Sequence, residues 1–122
     1  MTDASWTDAG TTLATAREAI AAFNAEREWA PFHTPRDLAM CVSVEAGELL
    51  EAFLWKSQEE SVNRGAVEEE IADVLISCIN LAGQLDLDLM ACIQRKLRLN
   101  GERYPVELAK GSAQKHDLLT DR

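Results

Sequence analysis

Apolar residues recur along the chain at intervals of three and four, and the few prolines and glycines fall between these runs, which is the spacing of helix faces. The pattern predicts an all-α chain with four principal helices. The first covers about 11–29, with Leu13, Ala16, Ile20 and Phe23 on one stripe and Arg17, Glu18 and Glu26 largely elsewhere. Ala30-Pro31 ends it. Thr34-Pro35-Arg36-Asp37 then reads as a start: a hydroxyl to cap free amides, a proline suited to the first turn, and a carboxylate at the positive helix end. Helix two continues to about 55 or 56, and 57–65 reads as a loop. Helix three covers about 66–85, and Asp86 or Asp88 caps helix four, about 89–103, which Tyr104-Pro105 stops. Residues 1–122 read as a single domain; 1–10 and the polar end of the chain, 112–122 in particular, are expected to be flexible or to dock on a partner.

Helix two departs from the one-stripe pattern. Leu38, Met40, Cys41, Val42, Val44, Leu49, Leu50, Phe53, Leu54 and Trp55 surround its axis, and a helix that is apolar all round is expected to be buried all round. Four helices of one chain offer little room for that, so the expectation is a bundle assembled as a homo-oligomer.

Glu45 and Glu48 lie within this apolar helix at i and i+3, with Glu51 following, and Glu70 and Asp73 repeat the spacing on helix three. Ionised carboxylates among apolar residues cost several kcal/mol apiece unless something compensates, and adjacent like charges raise one another's pKa. Antiparallel packing of the two helices would bring the four acids together, as a Mg²⁺ site requires: hard divalent cations take oxygen ligands. The alternative is a pair of solvated acidic faces. A di-iron site of the Glu-x-x-His kind is disfavoured, because neither His33 nor His116 has a Glu three positions before it. On helix four, Lys96, Asn100 and Arg103 form a stripe suited to phosphate oxygens and a sugar hydroxyl, or a solvated face. Trp29, Phe32 and Trp55, near helix ends, could sandwich a nucleobase or pack in a core.

Twelve Lys and Arg against twenty-one Asp and Glu leave a net charge of −9, a field that repels polynucleotides but tolerates a small phosphate ligand carried by a cation. Nucleic acid is therefore not the expected partner. No apolar stretch reaches the roughly 20 residues of a membrane span, and no basic segment followed by an apolar block opens the chain, so a cytoplasmic protein without a membrane partner is expected. Cys41, Cys78 and Cys92 lie in apolar segments without Cys-x-x-Cys spacing and are expected to be buried thiols.

Taken in order, the segments Ala25-Glu26-Arg27-Glu28-Trp29, Phe32-His33-Thr34-Pro35-Arg36-Asp37-Leu38, Glu45-Ala46-Gly47-Glu48-Leu49, Phe53-Leu54-Trp55-Lys56, Glu69-Glu70-Ile71-Ala72-Asp73-Val74-Leu75-Ile76 and Arg103-Tyr104-Pro105 resemble the MazG-like all-α nucleotide pyrophosphohydrolases, above all their dCTP pyrophosphatase branch. The resemblance implies a four-helix MazG-like fold assembled as a tetramer, a dimer of dimers. It implies Glu45, Glu48, Glu70 and Asp73 as Mg²⁺ ligands, with Glu48, or else Glu45, as the catalytic base. Trp29 and Trp55 would contact the base, and His33 and Asn100 the nucleotide; Lys96, Arg103 and Tyr104 would lie near the phosphates, and Lys110 would reach a neighbouring subunit's site. The reaction implied is hydrolysis of a nucleoside triphosphate, dCTP or a modified dCTP foremost, to monophosphate and pyrophosphate. Two departures bear on the substrate. Val44 stands where many MazG-like proteins carry a first Glu, as in the dCTP-preferring branch, whereas Ile20 and Ser77 replace a His and a Tyr of vertebrate relatives. A broad house-cleaning dNTP pyrophosphatase and a non-catalytic helical interaction module are the alternatives.

Overall fold

A computed structural model describes residues 4–57 and 62–119. Among these residues the structure is all helical, with no strand: α1 is Leu13–Glu26, α2 Pro35–Glu51, α3 Arg64–Gln84, α4 Leu89–Arg103 and α5 Val106–Ala109, with short 3-10 turns at Ala30–Phe32 and His116–Leu118. They fall into two compact units, Met1–Asp86 and Leu87–Arg122. In the first, α3 packs most extensively on α2 and also on α1.

Local chemistry sets the helix starts. The Thr34 hydroxyl accepts from the Asp37 amide at 3.2 Å and donates to the Asp37 carboxylate at 2.8 Å, so the expected start of α2 is a reciprocal cap. Asp88 Oδ1 likewise accepts from the Ala91 amide at 2.9 Å and opens α4 where expected. Helix α3 begins two residues before the expected 66, because Asn63 Oδ1 caps the Ala66 amide at 3.1 Å. Part of the expected loop, 58–61, lies outside the described residues, as do 1–3 and 120–122 of the expected tails.

Two helices end earlier than the apolar pattern suggests. The first stops at Glu26 rather than near 29, and α2 stops at Glu51 rather than near 55. Glu28 and Trp55 carry positive φ angles of 52° and 61°, as does Asp86 after α3 at 52°. Glu28 and Asp86 turn the chain out of α1 and α3, whereas α2 ends in turns bonded three residues back from Ala52 to Leu54, with Trp55 left-handed beyond them. Within 112–122, expected to be flexible or to dock on a partner, His116–Leu118 form the second 3-10 turn, and the Tyr104 and His116 rings meet edge to face at 5.7 Å.

Within the single chain α2 is not buried all round: only Leu38 is buried, and Met40, Val44 and Leu50 are more than half exposed, α3 packing on one side of the helix. One burial expectation is corrected. The cysteines are not core thiols: Cys41 is exposed and lines a cavity, while Cys78 and Cys92 are half-buried. No single described helix is long and apolar enough to cross a membrane.

Candidate metal centre and adjoining cavity

Helix periodicity places Glu70 and Asp73 one turn apart on α3, and the packing of α2 on α3 brings Glu45 to the same spot. Glu45, Glu70 and Asp73 each offer a carboxylate oxygen within 4.8 Å of the other two. Glu45 Oε2 and Glu70 Oε2 are sealed from solvent without a hydrogen-bond partner. Burial pushes both carboxyls above their ordinary range; the adjacent Glu48 carboxyl and the negative charge of Asp73 push them further. Glu48 itself is exposed and stands outside the three-oxygen cluster, so the structure gathers three of the four expected acids tightly and leaves the fourth beside them.

The ion pairs Arg27–Glu26 and Arg64–Glu68 among the described residues do not involve the cluster acids. Sealed acceptor oxygens on mutually repelling carboxylates are costly alone and are satisfied by a hard cation. Ligand oxygens across an octahedral Mg²⁺ stand about 4.2 Å apart, so the observed spread is close to what one such ion gathers. The residues therefore fit a divalent metal.

A cavity of about 570 Å³ in the same unit has Glu45 and Asp73 in its lining. That volume lies in the range of small-molecule sites. Ile20, Phe23, Trp29 and Leu38 supply apolar walls, while Asn24, Ser77 and Asn80 supply uncharged polar groups. Trp29 is aimed by the end of α1: its amide donates to the Asn24 carbonyl at 3.2 Å and the Glu28 amide to the Ala25 carbonyl at 3.1 Å, a pair of bonds that closes a helix through a left-handed residue. The Arg27 guanidinium lies 3.5 Å from the Phe23 ring centre, and Phe23 meets Trp29 edge to face at 5.7 Å. His33 lines the cavity too, its ring 6.1 Å from that of Trp29.

The other expected site residues are carried by other segments. Trp55 is 93% exposed and does not line the cavity. Lys96, Asn100 and Arg103 lie along α4 in the C-terminal unit, with Tyr104 as its last cap, its amide donating to the Asn100 carbonyl at 2.8 Å. Lys110 is exposed just after α5.

Two cavity residues were not among the sequence candidates. Asn24 Nδ2 donates to Asn80 Oδ1 at 2.9 Å, joining α1 to α3 across 56 positions. The available signal was polarity out of place: Asn24 is four residues after Ile20 on the inward side of α1, and Asn80 follows Asp73 and Ser77 at helical spacing on α3.

A profile of the MazG-like family matches residues 40–119. The chain is 42% identical to dCTP pyrophosphatase 1 of Rattus norvegicus, over 88% of this chain and 68% of that one. It is 39% identical to dCTP pyrophosphatase 1 of Homo sapiens over the same shares. Among solved structures, a pyrophosphatase from Archaeoglobus fulgidus superimposes with a TM-score of 0.73 at 31% identity, covering 83% of this chain and 99% of the other.

Proposed function

Because the chain belongs to the MazG-like family, and its relatives make it a hydrolase acting on nucleotide anhydrides, we propose that it cleaves a deoxynucleoside triphosphate, dCTP foremost, to the monophosphate and pyrophosphate with Mg²⁺. The observation that carries this is the three-carboxylate cluster, with two sealed, unpartnered oxygens, beside a cavity of nucleoside size. Glu45, Glu70 and Asp73 would hold the ion, with Glu48 completing the set. When bound, Mg²⁺ supplies charge neutralisation and orientation for the phosphate oxygens.

The chain's own groups do the rest. Glu48, exposed beside the cluster, accepts a proton from the water that attacks the α-phosphorus. The bond to the bridging oxygen breaks, and pyrophosphate leaves with that oxygen. Trp29 and Phe23 form an apolar wall for the base, and His33 flanks Trp29. In this reading the basic stripe of Lys96 and Arg103, with Asn100 and Tyr104, serves the phosphates and sugar, and Lys110 serves a neighbouring copy. The exposed apolar residues of α2 support association into a homo-oligomer, for which we propose a tetramer acting on the cytoplasmic nucleotide pool.

Hydrolysis of dCTP in ¹⁸O-labelled water with Mg²⁺ tests the reaction. The expected products are labelled dCMP and unlabelled pyrophosphate. Release of dCDP and inorganic phosphate, or label in the pyrophosphate, contradicts attack at the α-phosphorus.

A further inference from the structure

We propose that the Asn24–Asn80 amide pair reads the hydrogen-bonding edge of the base, and that it accepts both the 4-amino edge of cytosine and the 4-oxo edge of uracil or thymine. This rests on the cavity being the base site of the hydrolase proposed above.

Both amides line the cavity that includes Glu45 and Asp73, so a nucleotide with its phosphates at the carboxylates brings its base within the reach of polar groups in the same space. The walls there are largely apolar or aromatic, and apart from the two carboxylates the polar side chains among them include Asn24, His33, Ser77 and Asn80. Asn24, His33 and Asn80 carry both a donor and an acceptor on rigid planar groups, and of these the two amides are joined to each other across the cavity lining while His33 lies against Trp29. Their mutual bond at 2.9 Å uses one amino hydrogen of Asn24 and one lone pair of Asn80. It leaves the Asn24 oxygen as an acceptor and the Asn80 amino group as a donor. Neither amide makes another side-chain hydrogen bond among the described residues.

The pair is reversible. Turning both amides over restores the same bond with Asn80 as donor, and the order of acceptor and donor facing a ligand is exchanged. Cytosine presents an amino donor at position 4 beside an acceptor at N3, whereas uracil and thymine present an oxygen acceptor beside an N3–H donor. Each orientation of the pair complements one of these edges. A site with a fixed donor or acceptor discriminates strongly against the wrong edge because a buried group is left unpaired. A pair that turns over avoids that penalty for either base.

The test is the ratio of kcat/KM for dCTP to that for dUTP, and to that for dTTP, in which losses common to all substrates cancel. For the wild-type enzyme the ratios are expected within about tenfold, whereas a site with fixed polarity gives 10²-fold or more. Asn80→Asp removes the donor and holds the Asn24 amino group on the new carboxylate, so both oxygens facing the ligand are acceptors and only the carboxylate is charged. The charge favours the base that presents a donor to it, cytosine where it faces position 4 and uracil where it faces N3, so the dCTP:dUTP ratio should move by about tenfold or more. Asn24→Asp puts the charge at the other position and should move the ratio in the opposite direction, and either variant serves alone if the other does not fold. A wild-type ratio above 10² overturns the proposal, as does an unchanged ratio in a folded, active variant. If no nucleoside triphosphate is cleaved by the wild-type protein, the hydrolase reading itself fails; cleavage with an unmoved ratio overturns the amide reading alone.

Discussion

Glu45 and Glu70 are the residues on which the chemistry turns, because each has an oxygen shut off from water with no protein donor to meet it. Their carboxyls are pushed above the ordinary carboxylate range, chiefly by burial and then by Glu48 and the other acids. The folded state thus holds their protons more tightly than the unfolded chain does. In the absence of metal, their contribution to stability is full below the ordinary carboxylate range and is lost as pH rises through the raised values. A divalent cation binds the deprotonated carboxylates, so its stabilising effect grows in the opposite direction. Thermal melts from about pH 4 to 8 should show Tm in chelator falling across the raised range, with the gap between Mg²⁺ and chelator widening as pH increases. A Tm at neutral pH indifferent to Mg²⁺ would be at odds with this site. Both acid pairs were readable in the sequence because i, i+3 spacing is a local property of a helix. The Asn24–Asn80 pair was not, since it exists only once α1 lies against α3.

Among the elements, the starts of α2 and α4 were readable and the ends of α1 and α2 were not, for one physical reason. A cap such as Thr34 or Asp88 acts through its own side chain on an amide three residues on, so the residue type announces it. An end made by a left-handed residue is announced only when that residue is glycine, and Glu28 takes the part for α1, whereas α2 tightens at Ala52, Phe53 and Leu54 through amides bonded three residues back, which no residue type announces. Glu28 holds the turn that directs Trp29 toward the cavity at a cost in backbone strain. Glu28→Gly should relieve it and stabilise the protein by about 1 kcal/mol, with the turn intact. Urea unfolding measures this as a higher midpoint with unchanged slope. A lower midpoint would show that the Glu28 side chain contributes more than its backbone costs.

At the scale of the whole molecule, the apolar residues around α2 point to association, although burial within a single chain is not what the structure shows. Leu50, 66% exposed, and Met40, 58% exposed, stand outside any described core. Sheltering a leucine or methionine side chain from water contributes about 1.5–3 kcal/mol each, which favours a second copy over solvent. Light scattering coupled to size exclusion should therefore give a mass of four 13.5 kDa chains, and Leu50→Asp should shift it to smaller species. A monomeric wild-type protein at micromolar concentration would refute the assembly. Whether the acids of α2 and α3 form a metal-dependent catalytic centre is decided by dCTP turnover in Mg²⁺ and in chelator, for wild type, Glu48→Gln and Asp73→Asn. Pyrophosphate release is expected to require the metal and to fall about 10²-fold or more in each folded variant. Turnover that persists in chelator, or survives both substitutions, would contradict such a centre.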